Sequence, residues 1–341
     1  MYRVGIVGIG PIAALAWGEP GDVAPYNHAG GIYQSERVDL VAVADLAVER
    51  RQAFLHKWGS CFPNVRAYDS IAAMVAAQDL DIISICVRGP HHLAVALEVI
   101  QARPRAIFLE KPPTCSLHEM DELLAATRSA AIPITVSYSR HWAPVVLRME
   151  QVVKAGLIGD VQTVIGYCGS SVLSFASHTT DLICQFAGYR PVAVYARGQA
   201  GSEAPEGYEP EPGLSSVIIE YESGVSGIQL GVASEYGSML CEVIGTEGRA
   251  RVGMYTPPSA CDKKGRSIDL AQDALPVAAS PFKGAYDEIA EYLDGGPLPA
   301  CTNEEWIAVH EIGFGAIESI LTGQRITLPS ARRTRRIFAN G

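Results

Sequence analysis

A glycine-rich hexapeptide directly after the first apolar run constrains the fold of this chain more than any other feature. The run Val4 to Val7 is short and β-branched, which predicts a buried strand, and residues 8–13 read GIGPIA. A strand, a tight glycine turn and a helix N-terminus, in that order, let a backbone approach a pyrophosphate. The alternative is an ordinary strand-to-helix turn that binds nothing. On the first interpretation the binding residues of this loop are Gly8, Gly10, Pro11, Ile12 and Ala13.

The first 137 residues alternate short apolar runs with helical stretches. Such continuous runs are typical of strands buried on both faces, and the helices between them predict β-α-β crossovers. We therefore predict an α/β fold whose N-terminal domain, residues 1–137, is a Rossmann-type, doubly wound parallel sheet. The predicted strands are Val4 to Val7, Asp39 to Ala44, Asp81 to Val87, Ala106 to Leu109 and Ile134 to Ser137.

The pattern changes after residue 160, where apolar residues recur at period two, as in Val161 to Tyr167. This alternation, with turn dipeptides between neighbouring runs, predicts an open, mostly antiparallel sheet in a C-terminal α+β domain, residues 138–341. The late helix predicted at Glu304 to Gly323 is a candidate to pack back near the first domain. Further predicted strands are Val192 to Arg197, Leu214 to Tyr221, Val225 to Ala233, Ser238 to Gly245 and Arg249 to Met254.

Charge and cysteine content disfavour several kinds of partner. The formal net charge of -10 argues against a nucleic-acid partner, and the basic run Arg332 to Arg336 is interpreted as a solvated tail or an intersubunit contact. No two of the eight cysteines lie within four residues of each other, so we predict no metal site and the reduced thiols of a cytoplasmic protein. We expect no signal peptide, and no apolar stretch reaches the about 18 residues that a membrane span needs.

Asp45 ends the second predicted strand. A carboxylate there accepts hydrogen bonds from the adenosine ribose and repels a 2′-phosphate, which favours NAD over NADP. A cap for the helix at residues 47–58 is the other interpretation, and the two are compatible. The spacing from the glycine loop exceeds the usual ~20 residues, which we attribute to a loop insertion, Trp17 to His28. Arg50 and Arg51 keep NADP possible as the cofactor.

The segment Glu110-Lys111-Pro112-Pro113 places a lysine at the end of the fourth predicted strand. A lysine beside an oxidised nicotinamide meets a positive charge and partial desolvation, and both lower its pKa. Such an amine acts as a base near neutral pH and as an acid in the reverse direction. The plainer interpretation of Lys111 is a surface lysine at a strand end.

Several further segments accompany these two at wide spacing. They are Ala44-Asp45, Ile85 to His92, Tyr138-Ser139-Arg140, Ala155 to Gly159 and His178-Thr179-Thr180-Asp181-Leu182. With them the chain resembles, over most of its length, the glucose–fructose oxidoreductase/inositol dehydrogenase (Gfo/Idh/MocA) family. The EKP triplet followed by the HxxDL segment is the most specific part of the resemblance.

The resemblance implies a Rossmann domain followed by an open-sheet domain, with a sugar or cyclitol in the cleft between them and NAD(P) as cofactor. Lys111 matches the family lysine that bonds the reacting oxygen and moves its proton, and Glu110 looks like its orienting neighbour. Pro112 is expected to follow a cis peptide bond. His178 matches the family histidine.

Two positions depart from the family pattern. Many members carry an aspartate four residues before the histidine, where this chain has Ser174, so catalysis would rest on Lys111 with His178. Ser174 motivates one alternative, a sensor or regulatory protein that binds NAD and a sugar without useful turnover. A glycosidase-like elimination that uses NAD transiently is another. The second departure is Val87-Arg88, in a loop expected near the nicotinamide, where Arg88 either meets an anionic group or is solvated.

The remaining candidates are assigned by position. His92 matches a family position at the cofactor loop, with packing or loop bonding as the alternative. Arg140 and Trp142 are expected to border the substrate, although Trp142 is equally a candidate core residue, and Tyr167 is a candidate helper in catalysis.

Together these features predict an NAD(P)-dependent oxidoreductase that acts on a C–OH or C=O carbon of a sugar, sugar derivative or cyclitol. An open sheet leaves one broad face to cover, so we expect a homodimer or homotetramer. Val225, Ile228 and Leu230 are the residues expected on that face.

Overall fold

The computed structural model describes residues 1–168, 170–231, 239–254, 256–270 and 279–339. The chain divides into two compact units. Unit 1 comprises Met1–Thr114, Glu119–Trp142 and Ala278–Asn303. Unit 2 comprises Cys115–His118, Ala143–Val277 and Glu304–Gly341.

The secondary structure follows the alternation in the first part of the chain and the period-two pattern in the second. In chain order the strands are β1 (Tyr2–Val7), β2 (Val38–Ala44), β3 (Arg66–Tyr68), β4 (Ile82–Ile85), β5 (Ala106–Leu109), β6 (Ile134–Val136), β7 (Val161–Tyr167), β8 (Pro191–Gln199), β9 (Glu209–Pro210), β10 (Gly213–Tyr221), β11 (Ser226–Leu230), β12 (Leu240–Gly245), β13 (Gly248–Gly253), β14 (Ser259–Asp262), β15 (Ile326–Thr327) and β16 (Ile337–Phe338). The helices are α1 (His28–Gln34), α2 (Val48–Trp58), α3 (Ile71–Ala77), α4 (His92–Gln101), α5 (Leu117–Ala130), α6 (Pro144–Lys154), α7 (Ser177–Ala187), α8 (Pro281–Leu293) and α9 (Glu304–Thr322). Short helical turns lie at Pro11–Leu15, Gly89–His91, Ser139–Trp142 and Val172–Ala176.

A six-stranded, all-parallel sheet forms the centre of unit 1, with the order β3-β2-β1-β4-β5-β6. The strands β4 and β5 are buried along their whole length, as their unbroken apolar sequences require. The strand order reverses between β1 and β4, and ligands bind outside the carboxyl ends of strands at such a reversal. The predicted doubly wound sheet is confirmed. The loops after β1, β2, β4 and β5 are therefore the candidates for a ligand-binding site.

The insertion that follows the glycine loop is held by Asn27. Its Nδ2 donates to Ala16 O (2.8 Å) and Gly18 O (3.1 Å), while its Oδ1 accepts from the Gly30 amide (2.7 Å) and so caps α1. The insertion is irregular up to Asn27, and His28 is the first residue of α1 rather than the last residue of a loop.

Unit 2 contains an eight-stranded sheet with the order β14-β13-β12-β7-β11-β10-β8-β15. The pair β7–β11 is parallel and the other pairs are antiparallel, so the predicted open, mostly antiparallel sheet is confirmed. The helix α7 lies against β7 so closely that a Cβ on Gly166 would stand 2.4 Å from Thr179 Cγ2. The helix α9 packs on β8. The side chains of alternate residues therefore point either to this helical layer or to the opposite face of the sheet.

The division of the chain differs from the sequence prediction in two respects. The segment Ala278–Asn303, with α8, belongs to unit 1 although it lies inside the predicted C-terminal domain. The segment Cys115–His118 belongs to unit 2 although it lies inside the predicted N-terminal domain. The helix α9 belongs to unit 2, inside the predicted C-terminal domain, and its packing near the first domain stays a prediction. Of the predicted strand ends, Ala233 and Ser238 lie outside the described residues.

The basic run near the C-terminus is tied into unit 2 instead of forming a solvated tail. Arg333 Nη1 donates to Glu311 Oε1 at 2.7 Å, and Arg335 Nε donates to Glu318 Oε2 at 3.1 Å. The Arg335 side chain is 10% exposed, which shows that its charge is used for intrachain pairing. Among the described residues, no helix combines the length and the apolar character needed to cross a lipid bilayer.

Candidate active site

The glycine loop after β1 requires glycine at its first position. Gly8 has φ +86, and an added Cβ would stand 2.8 Å from the Val87 amide nitrogen and 2.9 Å from the Cys86 carbonyl carbon. Both atoms are backbone atoms of the loop after β4, so no side-chain rotation relieves the overlap. At Gly10, by contrast, an added Cβ meets no atom within 4 Å. At Gly8 the loop therefore packs tightly against the backbone that follows β4, whereas at Gly10 there is space beside the backbone.

The helix predicted after the glycine turn is a single helical turn, Pro11–Leu15. The turn ends because Ala16 returns to extended backbone, where Asn27 holds its carbonyl. Ala13 is fully buried, as expected for a residue between turn and sheet. In the described chain no carbonyl of another segment accepts from the Ile12 or Ala13 amide, which leaves these two donors for a phosphate.

Asp45 connects the end of β2 to the glycine loop. Its side chain is 7% exposed, and its Oδ2 accepts from the Ile9 amide at 2.7 Å. Its Oδ1 accepts from the amide of Ala47, the N-cap residue of α2, at 2.9 Å, but no described side chain caps the first turn of that helix, so the capping interpretation is not supported. A carboxylate offers about four lone-pair sites, which leaves acceptors for ribose hydroxyls. Arg50 Nη1 lies 3.5 Å from Asp45 Oδ2 and its side chain is 52% exposed.

His92 joins the loop after β4 to the loop after β5. Its Nε2 lies 2.8 Å from Val87 O and its Nδ1 lies 2.6 Å from Pro112 O. Burial lowers the pKa of His92, although the two carbonyl contacts act in the opposite direction. A neutral ring has one N–H, so it donates to one of the two oxygens at a time. This is the loop-bonding arrangement that the sequence left open, while Arg88 in the same loop is exposed.

Lys111 follows β5 directly and is partly exposed, with a cis peptide bond to Pro112 as the resemblance implied. Its amide donates to Glu110 Oε2 at 3.3 Å. Glu110 is 5% exposed, and its Oε1 lies 3.0 Å from His28 Nε2. Burial raises the pKa of Glu110, but the bond and charge of His28 together with Lys111 lower it overall to below its ordinary value. The lysine therefore stands beside a buried carboxylate that stays ionised.

The sequence analysis missed His28, because it read that position as the end of a loop insertion. The ring is fully buried between Phe108 and Phe282, at centroid distances of 4.9 Å and 4.7 Å. The one available signal was a polar, ionisable residue next to Asn27, a good helix cap. That signal indicates a helix start but says nothing about the carboxylate 82 residues away.

In unit 2 the position of the absent aspartate is occupied by a serine that contacts a carboxylate from another segment. Ser174 Oγ donates to Glu211 Oε2 at 2.5 Å, and the Ser174 amide donates to Glu211 Oε1 at 2.8 Å. The Leu173 amide donates to the same Oε1 at 2.5 Å. His178 follows four residues later on α7 and is 2% exposed. The sequence analysis missed Glu211 because it lies in a stretch of Gly, Pro and Glu that reads as loop.

The three other predicted substrate residues have surroundings of their own within their units. Trp142 is 1% exposed and its Nε1 donates to Glu288 Oε2 at 2.8 Å, which is the core-packing alternative. The Arg140 guanidinium lies 5.0 Å from the centroid of the Tyr26 ring in unit 1. Tyr167 lies on β7 with the side chains that face away from α7, because Gly166 takes the position under that helix. Tyr167 is therefore not brought together with Ser174 and His178.

In sum, unit 1 gathers the predicted cofactor residues at the carboxyl ends of its central strands. They are Gly8, Gly10, Pro11, Ile12 and Ala13 after β1, Asp45 after β2, Val87, Arg88 and His92 after β4, and Glu110 and Lys111 after β5. Ser174 and His178 lie together in unit 2.

Residues 2–138 match the family model described as "Oxidoreductase family, NAD-binding Rossmann fold". Residues 2–138 are therefore similar to the Gfo/Idh/MocA oxidoreductases. This match agrees with the resemblance seen in the sequence and with an NAD-binding Rossmann fold for that part of the chain. The Gfo/Idh/MocA model ends at residue 138, close to the junction between β6 and the rest of the chain.

Relatives that match nearly the full length of this chain are named as oxidoreductases or dehydrogenases, at low identity. The uncharacterized oxidoreductase YrbE of Bacillus subtilis is 22% identical and covers 95% of this chain and 96% of its own length. Myo-inositol 2-dehydrogenase of Thermotoga maritima is 20% identical, with coverages of 93% and 96%. An enzyme that transfers hydride is thereby supported, and neither the sensor nor the elimination alternative gains support.

Solved structures show the same fold along the chain. An oxidoreductase of Agrobacterium radiobacter, in complex with NAD+, L-tartaric acid and magnesium, superposes with a TM-score of 0.75 at 14% identity and covers 96% of this chain and 98% of its own. The WlbA dehydrogenase of Bordetella pertussis, in complex with NADH and UDP-GlcNAcA, superposes with a TM-score of 0.73 at 18% identity, with the same coverages.

Proposed function

We propose that this protein is an NAD-dependent dehydrogenase that converts a C–OH carbon of a sugar, sugar derivative or cyclitol to C=O, and the reverse. The observation that carries the proposal is Lys111, held at the carboxyl end of β5 beside the ionised Glu110. Relatives named for myo-inositol and D-glucoside support the substrate class.

The residues at the sheet edge fit a dinucleotide. The open space at Gly10 accepts a pyrophosphate, the Ile12 and Ala13 amides donate to it, and Asp45 accepts from the adenosine ribose. When bound, NAD supplies the carbon that accepts hydride. Because Asp45 would lie close to any 2′-phosphate, NAD is the proposed cofactor. Arg50, 3.5 Å from Asp45 Oδ2, and Arg51, whose Nη1 donates to Asp45 O at 2.6 Å, are the cations that could offset this repulsion for NADP.

In this proposal Lys111 accepts and donates the proton. In oxidation its neutral amine accepts the hydroxyl proton from the substrate while the C–H hydride leaves, and in reduction its ammonium returns that proton to the alkoxide oxygen. Glu110 holds the Lys111 amide and supplies a negative charge nearby. We assign His178, with Ser174 one turn before it, as further substrate contacts, and Arg140 as a candidate contact of an anionic substrate.

The test is the substitution Lys111→Ala, with Lys154→Ala as a matched exposed lysine. NADH formation is followed while myo-inositol, D-glucose and related polyols are offered with NAD. We expect kcat to fall at least about 100-fold in Lys111→Ala, with an NAD dissociation constant within about threefold of wild type. Wild-type kcat in Lys111→Ala contradicts the assignment. Binding of NAD by the wild-type protein with no NADH across the panel contradicts the function itself.

We also propose that copies of the chain associate through the outer face of the unit 2 sheet. Ile165, Ile228 and Ile218 are register neighbours across β7, β11 and β10 on that face, and Ile218 is 49% exposed. Ile218→Lys should shift the sedimentation coefficient towards the monomer, whereas Leu321→Lys, at an exposed apolar residue of α9, should not. Unchanged sedimentation of Ile218→Lys rules out this face.

The cytoplasm remains the proposed compartment. Six of the eight cysteines are buried as thiols, and burial raises the pKa of Cys86 well above its ordinary value. Such thiols suit a reducing environment. Recovery of the activity in the membrane or secreted fraction of cells contradicts this assignment.

A further inference from the structure

A continuous chain of buried polar side chains leads to Glu110 from two helices distant in sequence. Ser84 Oγ lies 2.7 Å from Tyr286 Oη, Tyr286 Oη lies 2.8 Å from His28 Nδ1, and His28 Nε2 lies 3.0 Å from Glu110 Oε1. Ser84, Tyr286 and His28 are all fully buried, and Glu110 is 5% exposed. All four belong to unit 1, on β4, α8, α1 and the end of β5.

The acceptor at one end sets the direction of the first bond. An ionised Glu110 only accepts, so His28 Nε2–H donates to it. The Nδ1 on the other side of the ring is bonded to the Tyr286 hydroxyl, and that hydroxyl is bonded to Ser84 Oγ. These contacts hold the His28 ring, and through it the Glu110 carboxylate, in one place.

Filling a protein core with these polar groups costs more free energy than filling it with apolar side chains. Burying a carboxylate costs several kcal/mol, and apolar groups of similar volume are often neutral or stabilising in its place. The surroundings are apolar, because Phe108 and Phe282 flank the His28 ring. The other oxygen of Glu110, Oε2, accepts from the Lys111 amide at 3.3 Å. An effect on Lys111 therefore explains the polar chain better than a gain in stability does.

We propose that His28 and Tyr286 are positioning residues for Lys111: they keep the Glu110 carboxylate charged and fixed, and through it they fix the backbone and the electrostatic environment of the lysine. The inference rests on the proposed function, since it assigns residues that act through Glu110 on the proton-transferring amine. His28 and Tyr286 themselves touch neither substrate nor cofactor in this proposal.

Two substitutions at position 28 separate the two bonds of the ring. Glutamine places its amide nitrogen where Nε2 stands, so His28→Gln keeps a donor for Glu110. Asparagine reaches only the Nδ1 position, so His28→Asn keeps a partner for Tyr286 and removes the donor that faces Glu110 Oε1. Tyr286→Phe removes the buried hydroxyl, and Tyr221→Phe is its control, since Tyr221 is a buried tyrosine of unit 2 that bonds Cys184.

The kinetic readout is the reduction direction, with NADH and the ketone of the polyol that turns over best in the panel above. There Lys111 acts as an acid and stays protonated as the pH falls, so a loss of rate at low pH reports another group. In His28→Asn, the pKa of Glu110 rises because burial remains and the donor is lost. The titratable groups that face Glu110 are His28, Tyr286, Cys86, His92 and Lys111, and all but His28 are the same in the two variants.

We expect kcat to fall about 10- to 100-fold in His28→Asn, with unchanged NAD affinity and a loss of rate on lowering the pH that the wild-type protein does not show. His28→Gln should stay within about threefold of wild type with a wild-type pH profile. Tyr286→Phe should lower kcat, and Tyr221→Phe should not. If His28→Asn and His28→Gln share the wild-type kcat and profile while Lys111→Ala is inactive, the inference is wrong and the proposed function stands.

An infrared titration gives a second readout that needs no substrate. Glu110→Gln identifies the Glu110 carboxyl band by its disappearance from the spectrum. We expect a protonated Glu110 band in His28→Asn over the pH range in which its rate falls, and none in wild type or His28→Gln. Its absence from His28→Asn overturns the inference. Failure of the wild-type protein to form NADH from any polyol refutes the proposed function instead, whatever the infrared result.

Discussion

Alanine substitutions at Gly8 and Gly10 should affect different properties: the first should lower the stability of the fold, and the second should lower NAD affinity. In Gly8→Ala the new Cβ lies 2.8 Å from both Val87 N and Val87 Cγ1, on a backbone with φ +86. The left-handed conformation costs about 1–2 kcal/mol and overpacking about 1–3 kcal/mol. The loss in free energy of unfolding should therefore be about 2–5 kcal/mol.

In Gly10→Ala the new Cβ meets no atom within 4 Å, and the backbone is extended, with φ -103. The free energy of unfolding should change by less than about 0.5 kcal/mol. The added methyl group instead occupies the space through which a pyrophosphate approaches, so NAD affinity should fall at least about tenfold. Gly8→Ala damages the fold, and Gly10→Ala damages only the site.

Urea unfolding measures the first quantity, and titration calorimetry with NAD measures the second. Gly21→Ala is a control for the backbone effect alone, since Gly21 has φ +94 and its added Cβ also meets no atom within 4 Å. A Gly10→Ala protein that binds NAD as wild type refutes the placement of the cofactor at this loop. A Gly8→Ala protein no less stable than Gly21→Ala refutes the argument from contact with Val87.

Three further predictions concern other residues. Asp45→Ala should lower NAD affinity at least about tenfold, because the acceptor for the ribose hydroxyls is lost. NADP affinity should fall less, because the repulsion of its 2′-phosphate is lost as well. Calorimetry with both nucleotides checks this, and an unchanged ratio of the two affinities contradicts it. Glu211→Ala should destabilise more than Ser174→Ala, which loses one bond and about 1 kcal/mol, because the carboxylate accepts three bonds; urea unfolding of both variants decides the order. Burial lowers the pKa of His310 to about 3. Between about pH 6.5 and pH 3 the unfolded state therefore binds a proton at this histidine that the folded state does not bind. The free energy of unfolding falls by about 1.4 kcal/mol for each pH unit below about 6.5. His310→Phe should reduce the fall in unfolding free energy between about pH 6.5 and pH 4.5, and an unchanged fall shows that His310 does not titrate there.

The positions of the strands in unit 1 were predictable from local pattern alone. The predicted fourth strand, Ala106 to Leu109, coincides with β5, and the second, Asp39 to Ala44, differs from β2 by one residue. A short, β-branched apolar run between turn residues is typical of a strand covered on both faces, and this property needs no knowledge of distant residues. The strand β3 was missed because its three residues, Arg66–Tyr68, are too short and too polar to form such a run.

The site was predictable where one segment carries the chemistry by itself. The glycine loop, Asp45 and the Glu110-Lys111 pair each follow a strand directly, so their place at the sheet edge follows from the strand assignment. Ser174 was recognised as the position of a missing carboxylate, but its partner Glu211 was not, because 37 residues separate them. Their contact depends on how the loop before β10 returns to the start of α7.

What the amino-acid sequence determined by itself is the order of strands and helices, the glycine turn and the lysine after β5, since each depends on neighbours within a few residues. What only the tertiary structure decided is the set of partners around that lysine. His28 meets Glu110 across 82 residues and Tyr286 across 258, and α8 joins unit 1 after the chain has passed through unit 2. Hydrophobic periodicity reports which face of an element is buried, but the identity of the group that it is buried against is set by the packing of the whole unit.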